Sequence, residues 1–167
     1  VNATPEQQKR LAALSPVTGE TLHDPSNNDW VQWGGNDKGQ SYSPLKQINN
    51  ENVQNLQSVW RAPLQPGTSM ATPIVHDGIM FAHVFPDTVL AMDATNGQIL
   101  WRYQYTSKMG SSSKLGVALH GTRVYVPTSD LHVLSLDAKT GELIWDHELR
   151  TEAPGGARVG YNLRPTP

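Results

Sequence analysis

Val89-Leu90-Ala91-Met92-Asp93-Ala94-Thr95-Asn96-Gly97-Gln98-Ile99-Leu100-Trp101 aligns without a gap on Val133-Leu134-Ser135-Leu136-Asp137-Ala138-Lys139-Thr140-Gly141-Glu142-Leu143-Ile144-Trp145, 44 residues downstream. Val, Leu, Asp, Ala, Gly and Trp coincide, and these include the residues with special backbone or packing demands. Each copy reads as a hairpin: a β-rich strand, a turn opened by Asp and closed by Gly, then a second strand carrying Trp. Asp93 and Asp137 can accept hydrogen bonds from the amides of their own turns, and Gly97 and Gly141 can take the positive φ that a bulged turn requires. A further strand pair precedes each hairpin, around His76-Asp77-Gly78 in the first copy and His120-Gly121-Thr122 in the second. Four strands recurring at this period predict an all-β chain built from β-propeller blades of four antiparallel strands.

Composition agrees with that architecture. The chain has 167 residues, with 14 Gly and 12 Pro spread along it, which excludes an all-α bundle and suggests short elements joined by turns. Leu, Ile, Val and Phe make up only about a fifth of the residues, enough for a thin core. Thirteen basic against 15 acidic side chains, a formal charge of −2, leave no basic patch for a nucleic-acid backbone. With no Cys, the chain holds no disulfide, thiolate metal site or covalently attached c-type haem. No apolar run approaches a membrane span. Val1 in place of an initiator Met is read as a removed leading segment, either an export signal or a boundary of the expressed chain.

Outside the repeat, Thr4 as N-cap, Pro5 at the first helical position and Gln7 as the capping-box partner predict a short surface helix ending near Leu14. The Asn-, Asp- and Gly-rich stretch from His23 to Gly39 predicts an irregular segment packed down by Trp30 and Trp33. The chain divides into an N-terminal helix and extended arm (1–27), a segment joining the propeller (28–70), a first blade (71–114), a second blade (115–160) and the start of a third (161–167). Two blades and a fraction expose apolar faces, so the remaining blades are expected from another chain or fragment.

Trp30-Val31-Gln32-Trp33-Gly34-Gly35, Gly39-Gln40-Ser41-Tyr42-Ser43-Pro44-Leu45, Gln47-Ile48-Asn49, Asn52-Val53, Leu56 and Trp60 together resemble the N-terminal signature of quinoprotein alcohol dehydrogenases, which use pyrroloquinoline quinone (PQQ). The two Asp-x-x-x-Gly-x-x-x-Trp hairpins look like that family's tryptophan-docking repeats. The resemblance covers residue 28 to the end of the chain. It implies an eight-bladed ring with the quinone on its axis and a calcium or lanthanide ion chelated by quinone and protein. It also implies an Asp base, an alcohol substrate and onward transfer of electrons to a cytochrome, in the periplasm or outside the cell.

Carried over by position, the resemblance places Met70 where relatives have a Glu that contacts the quinone, Met109-Gly110 where many hold paired cysteines, and Leu115 where an Arg is usual. Lys114 and Arg164 are the cofactor-binding candidates, Lys114 as a neighbouring cation and Arg164 as a partner for a quinone carboxylate. No catalytic residue and no metal ligand is assigned to this chain. The departures from the pattern favour the rival class, a non-catalytic propeller scaffold for protein assembly at the cell envelope. A third reading keeps the enzyme and rebuilds its pocket around Lys114 and Arg164. Trp30, Trp33, Trp60, Trp101 and Trp145 read as packing residues, Asp93 and Asp137 as turn residues. His23, His76, His83, His120, His132 and His147 show no metal-ligand spacing and read as surface or turn histidines.

Overall fold

Thr4 Oγ1 accepts from the Gln7 backbone N–H while Thr4 N donates to Gln7 Oε1, so the expected capping box forms and helix α1 runs over Pro5–Ala13. The computed structural model describes residues 4–67, 72–108 and 116–149. A second helix, α2 (Gly19–His23), was not expected. Thr18 and Thr21 build the same reciprocal cap for it. No helix among the described residues is long and apolar enough to cross a membrane.

The repeat folds as eight strands: β1 (Ile74–His76), β2 (Ile79–Val84), β3 (Thr88–Asp93), β4 (Ile99–Gln104), β5 (Ala118–His120), β6 (Arg123–Pro127), β7 (His132–Asp137) and β8 (Leu143–Glu148). They form two four-stranded antiparallel meanders, β1-β2-β3-β4 and β5-β6-β7-β8. This is the propeller-blade architecture that the hairpin repeat predicted.

The two turns are built alike. Gly97 N donates to Asp93 O and Gly141 N to Asp137 O, each at 2.8 Å, with the glycines at φ +73° and +74°. Asp93 Oδ1 accepts from Thr95 N, and Asp137 Oδ1 from Lys139 N and Thr140 N, all at 2.9 Å. The register shift beside each turn also falls at matching places, between Ala91 and Met92 and between Ser135 and Leu136. Local sequence therefore dictates the same bulged hairpin twice.

One apolar cluster unites the sheets with the N-terminal arm. Phe81, Val89, Ala91 and Trp101 of the first sheet meet Val124, Leu134 and Leu136 of the second, and Leu11, Leu14 and Val17 close one side. The opposite face of the first sheet buries Ala82, Val84, Leu90 and Met92 against Ala62. Strand β3 is consequently buried at every residue.

The sheets dock through an indole ladder. Trp101 lies on the second turn: its Nε1 donates to Ala138 O at 3.0 Å, and a Cβ added at Gly141 would stand 2.6 Å from the ring. Trp60 repeats this on the first turn, donating to Ala94 O at 3.2 Å over Gly97. Trp145 occupies the matching place on β8. Among the described residues it meets Tyr125, with ring centroids 6.0 Å apart, and it stays 37% exposed. Trp33, expected to pack, is instead 65% exposed, while Trp30 packs on Gly35 and pairs its backbone with Val75.

Candidate functional site

In an antiparallel meander, the β2–β3 and β6–β7 turns share an edge with the end of β4 and the start of β5. That edge carries residues 85–87, 105–108, 116–117 and 128–131, and its polar groups form a seam between the sheets. Asp87, 3% exposed, accepts from Ser129 Oγ at 2.8 Å, and its backbone carbonyl accepts from Tyr105 N. Asp130 accepts from Thr128 Oγ1 at 2.6 Å, from the Lys108 amide at 2.8 Å and from Tyr105 Oη at 3.3 Å. The Tyr105 ring stands beside His132, whose Nδ1 lies 2.6 Å from Asp146 Oδ1.

The seam fixes where negative charge sits. Burial alone would raise the Asp130 pKa, but the hydrogen bonds from Thr128 and Lys108, with the His132 charge, outweigh it and hold the carboxyl below its ordinary range. Burial and the Asp130 and Asp146 charges push the Tyr105 hydroxyl up to about 12. Residues 105–108 are thus clamped to the second sheet by an ionised Asp130 and a neutral Tyr105.

Two histidines depart from the expected surface or turn role. His83 is 2% exposed, neither ring nitrogen has a hydrogen-bond partner among the described residues, and Nε2 lies 3.4 Å from Asp87 Oδ1. His76, at the end of β1, is 3% exposed, whereas its counterpart His120 is exposed. Burial of His76 comes from the arm: Ser15 and Asp29 reach it across 61 and 47 residues of sequence. Local spacing carries no sign of such a contact.

Lys114 and Arg164, the cofactor candidates, lie outside the described residues, as do Met70, Met109-Gly110 and Leu115. The seam itself does not fit a polyanionic quinone. Its Asp87 and Asp130 carboxylates would repel the quinone's carboxylates, and its hydroxyls already serve Asp87 and Asp130. It is a polar wall that joins the two sheets.

Bulged hairpins, indole docking and a meander in each unit define an arc of a β-propeller. The family model for the glucose/ethanol/alcohol dehydrogenase β-propeller domain matches residues 30–147, and the chain belongs to this PQQ family. It is 36% identical over 131 residues to quinohemoprotein alcohol dehydrogenase ADH IIB of Pseudomonas putida, covering 72% of this chain and 19% of that protein. The quinohemoprotein alcohol dehydrogenase ADHIIG structure from Pseudomonas putida HK5 superposes with a TM-score of 0.75 at 32% identity, over 84% of this chain and 22% of that one. The Comamonas testosteroni quinohemoprotein alcohol dehydrogenase structure gives 0.73 at 28% identity, over 92% and 24%. The chain therefore spans about a fifth of the length of the curated relatives it matches.

Proposed function

We propose that this chain is one arc of a PQQ-dependent alcohol dehydrogenase, an eight-bladed ring whose remaining blades are supplied by further polypeptide. The observation that carries the reading is the family match across both sheets, with quinohemoprotein alcohol dehydrogenases among the similar structures. Two uncovered flanks support the need for neighbouring blades. Strand β8 is exposed along its length, Leu143, Ile144 and Trp145 included, and Leu56, Val59 and Leu64 are exposed around Trp60.

In this reading a bound quinone would supply hydride-accepting chemistry for the alcohol, a calcium or lanthanide ion would supply Lewis acidity, and a cytochrome would be the onward electron acceptor. The arc's own residues contribute placement. Asp87, Ser129, Asp130 and Tyr105 join the two sheets, and Lys114 and Arg164 supply cationic contacts to the quinone carboxylates. The protein works in the periplasm or outside the cell.

Reconstitution of the complete polypeptide with PQQ and calcium tests the assignment. A quinone absorption band and dye-linked alcohol oxidation are expected, and Lys114→Ala with Arg164→Ala should weaken PQQ binding by about tenfold or more. A complete ring with neither band nor activity would leave the scaffold reading standing. Fractionation of producing cells tests the location.

A further inference from the structure

At the opposite edge of the first sheet, where β1 turns into β2, every group facing His76 Nε2 is an acceptor. Ser15 O and Ser15 Oγ each lie 3.1 Å away, and Asp77 Oδ2 lies at 3.5 Å. Ser15 Oγ gives its single proton to Asp77 Oδ2 at 2.7 Å, so it too presents a lone pair to the ring. On the far side of the ring, Nδ1 lies 3.1 Å from Asp29 Oδ2, and Asp29 Oδ1 accepts from Asp77 N at 3.0 Å. One carboxylate thereby orients both the imidazole and the turn that carries the second carboxylate. A carboxylate on one imidazole nitrogen with oxygen donors gathered at the other is the support that metal-binding histidines use.

From this geometry we infer a divalent metal site, of the zinc type, formed by His76 Nε2, Asp77 Oδ2 and Ser15 O, with a water as the fourth ligand, Asp29 as the orienting partner and Ser15 Oγ as a hydrogen-bond donor to Asp77 Oδ2. The distances suit it. Ligands about 2.1 Å from a tetrahedral ion stand about 3.4 Å from one another, and the 3.1 Å and 3.5 Å from Nε2 to Ser15 O and Asp77 Oδ2 bracket that value, whereas Ser15 Oγ, 2.7 Å from Asp77 Oδ2, stands too close to that oxygen to be a ligand beside it. Asp29, His76 and Asp77 are the acid and histidine groups that converge closely enough for an ion among the described residues. An imidazole, a carboxylate and neutral oxygens, without a thiolate, suit zinc and its first-row neighbours.

The Asp77 side chain is 39% exposed while the His76 ring is 4% exposed, so an ion can enter from solvent past the carboxylate and meet a shielded nitrogen. Ser15 follows α1, Asp29 precedes the Trp30 bridge to β1, and His76 ends β1. An ion there ties the arm to β1, an edge strand of the first sheet, independently of any alcohol-oxidising activity.

The test is metal analysis of the complete polypeptide, stripped with chelator and dialysed against Zn²⁺, beside its Asp77→Asn variant. Because Asp77 is exposed, that change leaves the core alone. The wild type should hold one more Zn²⁺ per chain than D77N, and Zn²⁺ should raise the Tm of the wild type but not of D77N. Asp29→Asn should keep the stoichiometry and weaken the affinity about 10- to 100-fold, the loss expected of an orienting partner. Equal zinc content in wild type and D77N, with no difference in the response of Tm, would overturn the site.

Discussion

Strands β4 and β8 occupy the same place in two copies of one repeat and meet opposite surroundings. Trp101 on β4 is 6% exposed, with its indole N–H bonded to Ala138 O and its ring on Gly141. Trp145 on β8 is 37% exposed, and every residue of its strand is exposed. The hairpins, registers and bulges agree, so the difference arises entirely from the neighbour. Local sequence decides the shape of a blade, and the adjoining blade decides how much that shape is worth.

The strongest way to break this comparison is to remove each indole. Trp101→Ala should cost about 3–5 kcal/mol, because it empties the junction between the sheets and strands a buried carbonyl. Trp145→Ala should cost under about 1 kcal/mol in this chain alone and approach the Trp101 value in the complete polypeptide. Urea unfolding of both variants in both contexts reads the contrast. Gly141→Ala probes the junction from the other side. Its new Cβ would meet Trp101 at 2.6 Å in a backbone at φ +74°, and a loss of about 1–3 kcal/mol is expected in the same assay.

The turns sharpen the comparison further. Asp93 accepts from Thr95 N, Thr95 Oγ1 and Asn96 Nδ2 and pairs with Arg10, whereas Asp137 serves two backbone amides of its own turn. Asp93→Ala should therefore destabilise by about 1–3 kcal/mol and exceed Asp137→Ala. Burial opposes ionisation of Asp93, but the Thr95 bonds and Arg10 outweigh it and hold its pKa below the ordinary value. Its contribution is present above that ordinary value and is lost as pH falls through the lowered one, so D93A should flatten the acid limb of a Tm-against-pH curve.

The smallest effect belongs to the seam. Tyr105 is raised from 10.0 to about 12, so the folded state keeps it neutral where the unfolded chain ionises. Stability is intact below pH 10 and falls as pH rises towards about 12, and Tyr105→Phe should reduce that alkaline loss.

The parts legible in the sequence are those whose causes are local. Asp93 to Gly97 and Asp137 to Gly141 specify their turns through their own side chains, and Thr4 with Gln7 specifies the start of α1. Trp60 escaped recognition as part of the ladder because it docks 41 residues before Trp101, off the repeat spacing, and no matching Asp-to-Gly turn precedes it. His76 looked equivalent to His120 because the repeat aligns them. The arm that buries only the first of them arrives from Ser15 and Asp29, a long-range contact that no local pattern encodes. Trp30 and Trp33 share a loop, and their burial differs because only Trp30 bridges to β1.

Hydrogen exchange of the Trp145 indole N–H in the complete polypeptide tests the central claim most directly. If this chain is an arc of a larger ring, that proton is protected there as strongly as the Trp101 indole proton, and exchanges freely in the 167-residue chain. A Trp145 proton that exchanges as fast in the complete protein as in the isolated chain would contradict the account, because no neighbouring blade would then occupy the face of β8.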